Sequence, residues 1–320
     1  MPEITAEAVK SLREQTGLPM MDCKRALQEA GGDQEKAVEL LRKAGKKVAE
    51  KRAGRTTIAG RIAICADFGG VGSMIDLRCE SAPVSNNADF VTLANDMAKQ
   101  LATGPGAATP EDLLAQPSPG KPGQTLHQQL DDLLNRIREA FKLERIVRLN
   151  GSCAGYAHHN GAVAVLLQVE GGNQELARDI CMHIAAMRPI VLQKEELDLE
   201  LVNKERELAD QVITKEIEAV QAEANRALAL PDAQIQDPSN LERLVSSHAR
   251  AKNDLKKAEG TLKNKAKVIE GRLNVFYTDR CLLMQPHANR DKYGGKTIGD
   301  LAKAAGMKIV KFVNWELPKE

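Results

Sequence analysis

Apolar residues recur every three or four positions through the first 45 residues, and glycines punctuate them. Val9 and Leu12 mark one helix, which stops at Gly17. Met21, Ala26 and Leu27 mark a second, which stops at Gly31-Gly32. Ala37, Val38, Leu40 and Leu41 mark a third, opened by the N-cap candidate Asp33 and closed by Gly45. A three-helix bundle this small has a thin core. It suits docking and cannot hold a catalytic cleft.

The period then changes. Residues 61–66 alternate and are β-branched, Gly69 to Gly72 supply a turn, and residues 73–79 return, so a β-hairpin is predicted. A helix follows from Asn87 to Leu101, with Phe90, Leu93, Ala94 and Met97 inward. Five prolines between 103 and 124 predict mostly loop. A further helix is expected through Leu126, Leu130, Leu133, Leu134, Ile137 and Phe141. The pattern recurs as a hairpin turning at His158-His159-Asn160-Gly161 and a helix from Gln174 to Met187. Hairpin-then-helix occurring twice points to two similar α+β subdomains, as an old duplication would leave.

Residues 195–276 are a different material. Leu197 to Leu228 and Leu241 to Phe276 carry apolar residues at alternating spacings of three and four with charge between them. This predicts two helices of about 35 residues, each roughly 50 Å long at 1.5 Å per residue, paired as an antiparallel coiled-coil hairpin. Such an arm protrudes and forms no pocket. After it, Thr297 opens a short helix to Gly306, and a last strand runs from Ile309 to Trp315.

Composition narrows the function. Forty-five basic residues against 44 acidic ones leave a net charge of +1, so no global field steers the chain to nucleic acid or membrane. Aromatics are 3%, too few for a base-stacking platform. No apolar run approaches the roughly 20 residues that span a bilayer, and the acidic start lacks the features of a secretory signal. The cysteines at 23, 65, 79, 153, 181 and 281 form no Cys-x-x-Cys pair and read as buried, reduced cytosolic thiols. One basic stretch, Lys46, Lys47, Lys51, Arg52, Arg55 and Arg61, either touches RNA or is a solvated helix end and linker.

Catalytic signatures are missing. Gly295-Lys296-Thr297 has Arg290 where a phosphate loop needs Gly. Gly69 to Gly72 lies in a hairpin turn, not between strand and helix. No His-Glu-x-x-His or Gly-x-Ser-x-Gly occurs, and the adjacent His158 and His159 are expected to face different ways, unable to share a metal. Neither catalytic residues, metal nor cofactor is expected. The chain reads as a binding protein with several contact surfaces on a long scaffold.

Residues 4–27 are specific: Ile4-Thr5-Ala6, Val9-Lys10, Leu12-Arg13-Glu14, Thr16-Gly17, and Met20-Met21-Asp22-Cys23-Lys24-Arg25-Ala26-Leu27. This block resembles the amino-terminal module of the translation elongation factor Ts family. Gly32-Asp33, Lys51 to Arg55, Ile75 to Glu80, Gly155-Tyr156, His158, Gly161, Met182 to Ala186, Gln285-Pro286 and Phe312-Val313 are similar to further parts of it. The likeness spans nearly the whole chain, with an arm that looks longer than usual for the family.

The resemblance implies an α+β fold: an N-terminal three-helix module like a ubiquitin-associated domain, two similar α+β core subdomains, and a protruding antiparallel helical hairpin. The implied boundaries are 1–54 for the module and linker, 55–145 for the first subdomain, 146–194 with 277–320 for the second, and 195–276 for the hairpin. It implies a guanine nucleotide exchange factor that binds elongation factor Tu in its GDP form, speeds GDP release and lets GTP rebind in the cytoplasm. Arg13, Met20 and Met21 would contact the GTPase domain, although Met21 fits the bundle core equally well. His158 matches an interface histidine of the family. A homodimer or a two-to-two complex is compatible with this organisation; DNA and membrane are not expected partners. The other reading is a ribosome- or RNA-associated protein using the basic linker and the arm segment Lys252 to Arg272, with strongly salt-dependent binding.

The exchange motif departs from the family. Where the family usually has Thr-Asp-Phe-Val, this chain has Ser81-Ala82-Pro83-Val84, lacking both carboxylate and ring. Asp89-Phe90-Val91 is no substitute: it lies too far from Cys79, and Phe90 begins a helical apolar stripe. The rigid, apolar Pro83 is expected to press on the GTPase at the same place with a smaller footprint.

Overall fold

The computed structural model describes residues 4–52, 54–229 and 238–318, leaving aside the side chains of 46–51 and 238–241. Lys46, Lys47 and Lys51 of the basic stretch, the Leu241 side chain and the turn expected between the two arm helices at 230–237 thus lie outside the described parts. The chain divides into two units, one of residues 1–188, 287–296 and 300–320, the other of residues 189–286 and 297–299.

The first unit opens with α1 (Ala6–Thr16), α2 (Met20–Glu29) and α3 (Gln34–Arg52). Thr5 caps α1 and Gly17, at φ 69°, ends it. Val9, Leu12, Cys23, Ala26, Leu27, Ala37 and Leu41 form the bundle core. The expected stop at Gly45 is not used: α3 runs through it to Arg52. A helical Gly costs only about 1 kcal/mol relative to Ala, and this one has a packing reason. A Cβ there would run into the amide end of the Asn135 side chain, so Gly45 lets α3 and the helix that carries Asn135 lie close at this point.

Then come β1 (Ala59–Ala66), β2 (Val71–Cys79), the one-turn α4 (Ala82–Ser85), α5 (Ala88–Thr103), the short α6 (Pro110–Leu114) and α7 (Leu126–Ile137). α6 falls inside the predicted loop and is held by a Thr109–Asp112 capping box. Helix α7 ends at Ile137, closed by Arg138 in the left-handed region at φ 62°. Phe141 therefore does not extend it. It starts β3 (Phe141–Asn150), a strand the sequence pattern did not suggest.

β4 (Cys153–Ala157), β5 (Val163–Gly171) and α8 (Gln174–Met187) form the second hairpin and helix. The chain re-enters this unit with α12 (Arg290–Tyr293) and, after α13 (Ile298–Ala304), ends in β6 (Met307–Glu316). Both sheets are three-stranded and antiparallel, in the orders β1-β2-β3 and β4-β5-β6. Each repeat is thus hairpin, helix, then a third strand beside the second. The third strands share an irregularity: Glu144 is passed over between Leu143 and Arg145, and Val310 between Ile309 and Lys311.

The layers follow from alternation. On β1, Ala63 and Cys65 face α5 and α7, whereas Ile62 and Ile64 face the other sheet. Ile75, Leu77 and Cys79 join Phe90, Leu93 and Met97 in the larger core, while Met74, Leu149, Cys153 and Leu166 fill the space between the sheets. Because β2 is covered on both faces, even its polar Asp76 and Arg78 are buried.

The second unit is built on α9 (Leu199–Leu228), α10 (Pro238–Lys263) and α11 (Lys265–Arg280). The expected single return helix is interrupted at Asn264. Ile213, Ile217 and Ala258 pack with Val268 and Ile269, and Lys265–Asp210 and Arg272–Glu216 ion pairs tie α11 to α9. Thirty residues make α9 about 45 Å long. Leu197, Phe276 and Cys281 form a separate small core.

Candidate functional site

The segment after β2 turns sharply because β2 ends at Cys79 and Pro83 fixes the backbone of the next helical turn. Two carboxylates bind this corner to the segment between α7 and β3. Glu80 Oε1 accepts the Ala140 N–H at 2.7 Å. In return, Glu139 accepts the Ser81 N–H at 3.1 Å and the Ser81 hydroxyl. The corner is therefore clasped from both sides. Val84 packs against the larger core, and the Ser85 hydroxyl donates to the Ala82 carbonyl at 2.7 Å. Ala82 and Pro83 remain exposed beside each other. The arrangement holds a small apolar step on a fixed base.

Electrostatics reinforce the clasp. The Glu80 carboxyl is held below the ordinary glutamate range, first by the Ala140 N–H; burial works against this, and Arg55 and Arg52 add to the lowering. Cys79, whose thiol donates to the Ser81 carbonyl at 3.3 Å, is pushed up to about 12, mainly by burial and next by the charge of Glu139. It stays a thiol at neutral pH. The sequence singled out Ser81 to Val84 but missed Glu139. A bond between residues 58 positions apart leaves no local pattern.

Arg13 is exposed on α1, and Met20 and Met21 open α2 with 48% and 69% of their surface in solvent. Of the two readings of Met21, the core is therefore excluded; Cys23, Ala26 and Leu27 fill that role. Phe90 is fully buried, as its place in the apolar stripe predicts, and Asp89-Phe90-Val91 forms no projecting motif.

His158 is half-buried after β4, its Nδ1 sharing a hydrogen bond with the Tyr156 hydroxyl at 2.9 Å. The expectation that His158 and His159 point apart fails: their ring centroids are 4.2 Å apart. The tight turn closed by Gly161, at φ 70°, brings them together. Among the described residues no group of three or more His, Cys, Asp or Glu side chains is placed to hold a metal ion. No described helix is long and apolar enough to cross a membrane.

The basic segments are partly committed internally. Arg52 and Arg55 pair with Glu80, and within the arm Lys257 pairs with Asp254, Lys265 with Asp210 and Arg272 with Glu216.

The α+β scaffold presents exposed methionines and a braced apolar corner. Residues 83–319 match the family model described as Elongation factor TS. Over 318 residues the chain is 34% identical to an elongation factor Ts of Methylococcus capsulatus and 31% identical to one of Thioalkalivibrio sulfidiphilus. Both alignments cover 98% of this chain and 92% of the relative. An elongation factor Ts of Clostridium botulinum is 33% identical over 325 residues, with the same coverage. The chain belongs to the elongation factor Ts family, whose members are factors of translation elongation.

Proposed function

We propose that the chain binds elongation factor Tu carrying GDP, promotes release of the GDP and lets GTP rebind. The observation that carries this reading is the exposed Ala82–Pro83 step, held by the Glu80 and Glu139 clasp where the family's exchange motif is expected. Exchange requires that the factor bind the nucleotide-free GTPase better than the GDP form. A wedge creates that difference only if it does not yield. Pro83 has a locked φ, and both ends of its turn are tied to the fold.

In this reading residues 1–54 form a docking module like a ubiquitin-associated domain, with its linker. Residues 55–145 and 146–194 with 277–320 are the two core subdomains, and 195–276 the coiled-coil hairpin. Arg13, Met20 and Met21 contact the GTPase domain, and His158 adds a contact from the second subdomain. The setting is the cytoplasm, and the chain acts by binding, with no bond chemistry of its own.

The test is release of fluorescent GDP from the elongation factor Tu of the same organism. The wild-type chain is expected to accelerate it, and Pro83→Gly to lose part of that acceleration. No acceleration by the wild type would end the proposal. An unchanged rate with Pro83→Gly would remove that residue from the mechanism.

A further inference from the structure

The first unit contains a cavity of about 620 Å³ bounded by α2, α3, the segment after α3 and the end of α7. Its volume lies in the range of small-molecule sites, roughly 300–1,000 Å³. Leu18, Leu40 and Leu41 supply an apolar floor, and Arg25, Arg52, Arg55 and Arg138 supply four guanidinium groups.

These arginines are positioned, not merely present. Asp22 holds Arg25 with one carboxylate oxygen and Arg138 with the other. Glu80 holds Arg52 at 3.4 Å and Arg55 at 3.0 Å. Each carboxylate thus fixes two cations. Every guanidinium commits one nitrogen to these contacts and keeps further donors, since Arg carries five N–H groups in a planar fork. Arg138 also occupies a left-handed backbone position at φ 62°, one that glycine takes with less strain. Of the carboxylates that line the cavity or hold its arginines, only Glu29 pairs with none of the four.

We propose that this cavity binds a nucleoside polyphosphate, its phosphates on the four arginines and its ring system against Leu18, Leu40 and Leu41. Arginine forks match phosphate oxygens two at a time, and pre-set guanidinium groups avoid the ordering cost of free side chains. All four converge on one cavity and do not line a strand-length groove, which suits a compact multiple anion better than an extended acidic peptide. The proposal does not depend on the exchange reading, because its test uses the chain alone.

The experiment is calorimetric titration of the full chain with sodium tripolyphosphate and with ATP, without added metal, alongside methyl NMR of the leucines. Both probes are expected to bind, ATP more tightly, with ATP shifting the Leu18, Leu40 and Leu41 methyls. Arg25→Gln with Arg138→Gln should weaken both by at least about tenfold. Arg55→Gln, whose side chain is half exposed, should weaken them too, which guards against misfolding of the double variant. Lys308→Gln, altering a cation paired with Glu170 on the second sheet, should bind as wild type. The proposal is overturned if neither probe binds at about 1 mM, if the arginine variants bind as wild type, or if ATP binds no tighter than tripolyphosphate.

Discussion

Glu139 takes two hydrogen bonds from Ser81, one from its backbone N–H and one from its hydroxyl, across 58 positions of sequence. A residue with no chemistry of its own thereby fixes the direction in which Pro83 projects. Removing the carboxylate by Glu139→Ala leaves the half-buried Ser81 donors without their acceptor, a loss of about 1–3 kcal/mol. The urea midpoint, followed through the fluorescence of the single Trp315, should fall accordingly, and stimulated GDP release should fall with it. Full exchange activity in a folded Glu139→Ala chain would show that the clasp does not serve the corner.

Met20 and Met21 are exposed and contribute little to the bundle core, so changing both to Ala should leave the urea midpoint near wild type. If they anchor the partner, affinity for elongation factor Tu should drop by more than about 1 kcal/mol, as truncated interface anchors do. Unaltered affinity ends that assignment.

The clasp also predicts a pH dependence. Glu80 has a carboxyl held below its unfolded value, so its stabilisation is fully present above the ordinary glutamate range. It is lost as the pH falls through the lower folded value. Glu80→Gln should therefore be less stable than wild type near neutrality, and the gap should close on acidification. A gap that stays constant down to acid pH would mean the charge of Glu80 is not what stabilises.

Between the sheets, Arg78 makes paired contacts of 2.6 and 2.7 Å with buried Asp76, and Arg145 reaches the same carboxylate at 3.0 Å while lying over Trp315. Asp76→Ala strands two cations, one of them buried. The expected loss is about 3–5 kcal/mol, read from denaturation, with a changed Trp315 emission in whatever folds. A loss under about 1 kcal/mol would place this cluster with ordinary surface pairs.

Gly45→Ala should destabilise despite its better helix propensity, because the new methyl meets the Asn135 amide. Overpacking of this kind costs about 1–3 kcal/mol. Double-variant recovery with Asn135→Gly would confirm the contact, and a stabilised Gly45→Ala chain would refute it.

What was legible in the sequence was whatever repeats within one element. The stripe from Phe90 to Leu101, the span of α8 and the two hairpins all carry their signal in consecutive residues. β3 was lost because its alternation slips at Glu144: Leu143 faces the larger core before the extra residue and Ile146 after it, so neither strand nor helix period fits. The family was equally legible, because its signature is a run of residue identities and needs no geometry.

Only the tertiary structure decided which helices end where a local breaker stands and which do not. Helix α3 continues through Gly45, which lies against Asn135, while α7 stops at a non-glycine residue, Arg138, held by Asp22. It alone decided that Met21 faces solvent, that Ser81 answers to Glu139, and that four arginines from three segments of the chain meet around one cavity. Side-chain period is a property of neighbours along the chain. Charge pairing and close approach belong to residues that meet only after folding, and no spacing in the sequence encodes them.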